Sequence, residues 1–241
     1  MYRVSESAHD KPTGNQGDAM TQTSRTEATT PASAAPATAG SGAGGAPDPR
    51  PLFARALDQL GRLVASVRVD DLDRPTPCTD YTVRQLLGHL VAVERRVAHI
   101  SRGGQPFDVT SLVTDVPDDD WLEVWTTARG ELDAALSQAG VLERTFVHPA
   151  GTFPGRQAIF AYVGEAAVHG WDLAAAIGRQ DLLDDSLAAV SLGPLTQFLP
   201  AQPRGGHIPF GPVVDVPADA PAYDRLVGWV GRDPHWTTGT T

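Results

Sequence analysis

The sequence predicts an all-α fold: a bundle of four long helices with one shorter helix and an extended C-terminal segment. Three observations carry this prediction. Apolar residues recur at steps of three and four along four separate stretches. Residues that start and stop helices bracket those stretches. Runs that alternate with period two under β-branched enrichment are scarce.

Residues 1–50 read as a tail. The stretch TPASAAPATAGSGAGGAPDP has no bulky apolar residue, cannot bury enough surface to offset chain entropy, and is expected to be disordered. Residues 51–241 suffice for one good-sized core. The first helix opens at Pro51, a residue suited to a first turn, and sets Phe53, Leu57, Leu60 and Val64 on one face over residues 51–67. A proline-broken connection, DLDRPTPCTDY, follows. The second helix starts at Thr82, where Gln85 completes a capping box. Its inward stripe is Leu86, His89, Leu90, Val93, Val97 and Ile100, and SRGGQP stops it. The third helix spans about 119–138 through Leu122, Trp125, Ala128, Leu132 and Leu136. The fourth spans about 155–177 through Ile159, Tyr162, Ala166, His169 and Leu173, with Gly178 as its C-terminal cap. A shorter fifth occupies about 182–199. The region after Pro200 is the exception that could hold a strand or an extended wrap, and a last helical turn or two covers 222–230. Long amphipathic helices joined by loops make an up-and-down bundle.

Composition excludes several function classes. A net charge of −10 argues against nucleic-acid binding, which needs a basic face. A single cysteine, Cys78, rules out an internal disulfide framework and a cysteine-rich zinc module. The N-terminus lacks the apolar core of a signal peptide. The most apolar window, residues 158–178, carries Glu165, His169 and Asp172, each costly in hydrocarbon, so a membrane span is not expected. A cytoplasmic location follows as the expectation. A homodimer is compatible with the sequence, which leaves oligomeric state open.

Chemistry is sought where polar residues interrupt apolar stripes. His89 falls on the inward face of the second helix, and Glu165 and His169 stack one turn apart on that of the fourth. A buried carboxylate and two imidazoles are expensive unless paired or coordinated. A shared divalent metal, with zinc favoured by the donor types, would resolve the cost for all three. A core histidine satisfied by ordinary hydrogen bonds, or a helix-surface Glu–His pair, explains the same spacing. Asp172, three residues past His169, is either an acceptor that orients an imidazole from behind or a surface aspartate paired with an arginine. Trp171 reads as packing and Cys78 as a buried, inert thiol. Arg84, Arg95 and Arg96 read as a solvated face. His99 turns away from the interior, and His148, His207 and His235 read as loop or surface positions.

The stretches PTPCTDYTVRQLLGHLVAVE and EAAVHGWDLAAAIGR, with the ending FGPVVDVPADAPAYDRLVGWVGRDPHW, resemble the DinB-like metal-binding superfamily. The similarity is to its actinobacterial branch, which includes the N-terminal domain of mycothiol-dependent maleylpyruvate isomerase. It implies a DinB-like four-helix bundle and assigns the metal-ligand positions to His89, Glu165 and His169. It further implies mycothiol as a cosubstrate and a thiol-dependent S-transferase or isomerase acting on a small electrophile. No counterpart of the isomerase's further C-terminal domain is read here, so the isomerase's own reaction is not implied. A non-catalytic metal- or ligand-binding module, and a helical interaction protein with a hydrogen-bonded polar core, remain as alternatives.

Overall fold

The computed structural model describes residues 47–205 and 210–239. Six α-helices lie among the described residues: α1 (Arg50–Val64), α2 (Val83–Ser101), α3 (Trp121–Leu136), α4 (Gly155–Ile177), α5 (Asp185–Phe198) and α6 (Ala222–Trp229). A short antiparallel hairpin, β1 (Thr145–His148) with β2 (Gly151–Pro154), enters α4. Residues 1–46 of the expected tail, and His207, lie outside the described residues.

The helices form because the sequence caps and patterns them. The Thr82 hydroxyl accepts from the Gln85 amide, and the Gln85 side chain accepts from the Thr82 amide, which starts α2 as a reciprocal box. Gly178 ends α4 in the left-handed conformation at φ 70°. α1 packs on α4 and α3, and α2 packs on α3 and α4, which makes the four-helix bundle. α5 lies against α4, and α6 against both. α4 is the central element. It is apolar on nearly every side, as a helix surrounded by others must be, and Ile159, Val163, Leu173 and Ala174 are fully buried.

Several details depart from the pattern-based reading. α1 ends at Val64, where the chain turns and the Ser66 hydroxyl bonds back to the Arg62 carbonyl. On α3 the expected face holds at Trp125, Ala128, Leu132 and Leu136, but at its start Trp121 is buried in place of Leu122, which is 46% exposed, because the larger indole gains more from burial. α5 starts at Asp185, capped by the Asp184 carboxylate, and Leu182 belongs to a preceding 3-10 turn. Among the described residues the segment after Pro200 forms no strand, although the Val214 amide donates to the Gly228 carbonyl of α6 at 2.9 Å, and the strands stand at 145–154 instead. Each has only four residues, too few to show a period, and the turn depends on Gly151 at φ 136°.

Gly88, inside α2, serves a close approach. A Cβ there would overlap the carbonyl oxygen of Val113, whose amide donates to the Gly88 carbonyl at 3.1 Å. The segment at 109–116 can therefore lie directly across the helix.

Glu94, on α2, is buried, and neither carboxylate oxygen has a hydrogen-bond partner among the described residues. Burial, with Asp133 nearby and only partial relief from Arg129 and Arg95, pushes its pKa up from 4.5 to about 9. The native state then holds a proton that the unfolded chain releases, so stability falls as pH rises from about 4.5 to about 9. Urea unfolding of E94M at pH 7 should show a gain of about 1–3 kcal/mol, since an orphaned buried polar group is removed. The variant should also lose most of the decline across that pH window.

Candidate metal centre

His89 stands in the middle of α2, and Glu165 and His169 are one turn apart on α4. Packing of α2 on α4 brings the three together. Nε2 of His89 lies 3.2 Å, and Nε2 of His169 3.5 Å, from Oε1 of Glu165. The two rings meet edge to face with centroids 5.0 Å apart. One ligand-type atom from each residue lies within 4.8 Å of the others.

The far nitrogens of the two rings fix the tautomers. Nδ1 of His89 faces the Ser111 carbonyl oxygen at 3.2 Å, and a carbonyl only accepts, so Nδ1 carries the proton. The Tyr81 ring stacks on His89 with centroids 5.1 Å apart and its hydroxyl farther off, at 3.4 Å from Nδ1. Nδ1 of His169 donates to Oδ2 of Asp172 at 2.9 Å. In a neutral ring each Nε2 then directs its lone pair toward the Glu165 carboxylate, whereas a proton added there would donate to Oε1. Three such atoms held this close are relieved either by a proton shared between imidazole and carboxylate or by a cation among them. Two imidazole nitrogens and a carboxylate oxygen are the donors zinc and similar ions take, so these residues fit a divalent ion. Burial disfavours charge on every member. In the ion-free chain it pushes the His89 pKa down, whereas Glu165 and Asp172 override it at His169 and push that pKa up. Against the same burial, the facing imidazoles help to hold Glu165 well below the usual carboxylate range.

Asp172 is fully buried rather than on the surface. Arg232, from the segment after α6, donates Nε to its Oδ1 at 3.2 Å and Nη2 to its Oδ2 at 3.1 Å, which keeps the carboxylate ionised despite burial. The carboxylate thus takes a proton-bearing nitrogen from His169 on one side and a guanidinium on the other. Cys78, His169 and Asp172 form a second close cluster. Burial pushes the Cys78 thiol up to about 12, and Asp172 is committed to Arg232, so this cluster supports the first and offers no rival site.

A cavity of about 290 Å³ opens beside the three residues. Its wall is mainly apolar, from Val93, Phe160, Leu195, Phe198 and Phe210. The sequence reading missed three of its polar neighbours. Arg96 is buried, not solvated, and bonds the carbonyls of Pro106 and Thr110. His148, read as a surface position, lies on β1 in the cavity wall. Arg232 carried no signal, since nothing in its local sequence marks a partner on α4. His99 faces outward beside Asp108, as expected.

The model of the family described as the mycothiol maleylpyruvate isomerase N-terminal domain matches residues 53–174, half of the chain. The chain belongs to this family. Two uncharacterized proteins of Mycobacterium tuberculosis, one from each of two strains, are 29% identical to the chain over 185 residues, covering 77% of this chain and 98% of theirs. A crystal structure of a mutant of mycothiol-dependent maleylpyruvate isomerase matches with a TM-score of 0.49 and 13% identity, covering 61% of this chain and 65% of that one, less than two thirds of its length. In this family member, the matched segment contains all three converging residues and Asp172, while Arg232 lies beyond it. Among the described residues no helix is long and apolar enough to cross a membrane.

R232M removes both bonds to Asp172 and leaves a buried carboxylate facing His169 alone. Urea denaturation should show a loss of about 3–5 kcal/mol, the cost of breaking a buried ion pair from one side. R232K should recover part of that loss and not all, because a lysine cannot bridge both oxygens in the plane of the carboxylate.

Proposed function

We propose that this family member is a divalent-metal protein, with zinc as the favoured ion, in which His89, Glu165 and His169 are the ligands. We further propose that it uses a low-molecular-weight thiol, mycothiol, in S-transfer or thiol-assisted isomerisation of a small electrophile. The observation that carries this reading is the convergence of two imidazole nitrogens and a carboxylate oxygen beside an apolar cavity. Membership in a family named for a mycothiol enzyme supports the choice of thiol.

The chemistry such an ion supplies is stabilisation of a thiolate near neutral pH, by lowering the cost of removing the sulfur-bound proton. The protein's residues do the rest. Asp172 and Ser111 hold the Nδ1 protons of His169 and His89, so that both Nε2 lone pairs stay directed inward. Arg232 keeps Asp172 ionised and fixed. The apolar wall excludes water that would hydrate and weaken a sulfur nucleophile. In S-transfer, sulfur forms a bond to an electrophilic carbon while that carbon's electron pair leaves with a displaced group or moves into a conjugated acceptor. In isomerisation, the same addition frees a double bond to rotate before the thiol leaves again.

Metal analysis of protein purified without chelator should find close to one divalent ion per wild-type chain, and His89→Ala and His169→Ala should each lose it. D172N should keep the ion with an affinity lowered by about 10- to 100-fold, read by chelator competition, because the carboxylate behind His169 is gone. Wild type that binds no ion leaves only a polar core network. A loaded protein that forms no conjugate from mycothiol and monochlorobimane above background is a non-catalytic metal-binding module.

A further inference from the structure

The segment that crosses α2 carries the carbonyl that holds His89, yet little of its own surface keeps it in place. Pro106 is buried and Val113 packs against the core, but none of residues 107–112 is buried, and Phe107 is 60% exposed. After one 3-10 turn at Pro106–Asp108 the segment has no helix or strand before α3. A stretch with so few buried apolar contacts opens locally at small cost unless polar groups pin it.

Two pins flank Ser111. Downstream, the Val113 amide donates to the Gly88 carbonyl at 3.1 Å. Upstream, Arg96 donates Nη2 to the Thr110 carbonyl at 3.2 Å and Nε to the Pro106 carbonyl at 3.1 Å. One planar guanidinium thus bridges the segment from its buried proline to the residue next to Ser111. Bonds from a charged donor are roughly twice as strong as neutral ones. His99 also meets the segment, at 3.2 Å from Asp108, but both side chains are exposed and such a pair holds little. Arg96 is itself buried, and it stands two turns beyond His89 on the same face of α2, about 10 Å along the helix.

We infer that Arg96 is a positioning residue for the metal centre. By pinning residues 106–110 against α2 it sets the Ser111 carbonyl, which holds the Nδ1 proton of His89 and leaves Nε2 facing Glu165. Its effect on an ion rests on the proposed reading of His89 as a ligand; its effect on the ring does not. Without the pin, Nδ1–H turns to water or to the Tyr81 hydroxyl 3.4 Å away, and the ring is free to carry its proton on either nitrogen.

The test uses the full chain labelled with 15N-histidine, first without any divalent ion. R96M keeps the apolar stem and removes both donors. G88A disturbs the downstream pin instead, because a Cβ there would overlap the Val113 carbonyl oxygen. Long-range 15N–1H spectra should show the His89 proton on Nδ1 in wild type and a mixture of tautomers in both variants. The His169 resonances, set by Asp172, should stay where they are. Zinc affinity, read by chelator competition, should fall about 10- to 100-fold in R96M. R96K keeps the charge but lacks the planar fork that spans both carbonyls, so its affinity and its tautomer mixture should lie between. A folded R96M or G88A with the wild-type His89 tautomer overturns the proposal, as does an R96M that binds zinc as wild type does. Equal disturbance of His89 and His169 also overturns it, since that is general loosening of the bundle. Where R96M does not fold, R96K decides by the same readouts, and wild-type values there overturn the proposal. A wild type that binds no zinc removes the metal reading, and the His89 tautomer then decides this inference alone.

Discussion

The site depends on the meeting of polar side chains that burial makes costly unless each is paired. His89, Glu165 and His169 present three electron-rich atoms to one point between α2 and α4, and each is held there from behind. The hydrophobic packing of the two helices does not require this arrangement; apolar residues at the three positions would pack with less penalty. The cost is met by structure on every side: a backbone carbonyl behind one ring, a carboxylate behind the other, and a guanidinium behind that carboxylate. Such layered support is what separates a site from a chance cluster of polar groups.

Two distant parts of the chain supply that support. Gly88 gives up helix propensity so that the 109–116 segment can cross α2 and set the Ser111 carbonyl against His89. Arg232 arrives from the segment after α6 to pair with Asp172 on α4. The hairpin contributes the third face, closing the cavity with His148 and Phe153.

Much of this was legible in the sequence, for identifiable reasons. The helix-capping pair Thr82 and Gln85 is local, and so is the one-turn spacing of Glu165 and His169, so both could be read from neighbouring residues. His89 stood out because a polar residue on an apolar stripe is conspicuous at any distance from its partners. The features that escaped are non-local or too short. Arg232 meets Asp172 across a long stretch of chain, and Arg96 becomes buried because a loop folds over it. His148 sits on a strand of four residues, where no period can appear. Trp121 displaced Leu122 from the core through relative size, which the spacing of three and four does not encode.

The salt link from Arg232 to Asp172 also bears on how this chain could be divided and recombined. The segment by which the family is recognised, residues 53–174, stops well before the guanidinium that anchors it. Exchanging that segment alone between homologues would carry over His169 and Asp172 without the arginine that pairs with Asp172. A chimera designed on that segment alone would therefore leave a buried carboxylate without its guanidinium.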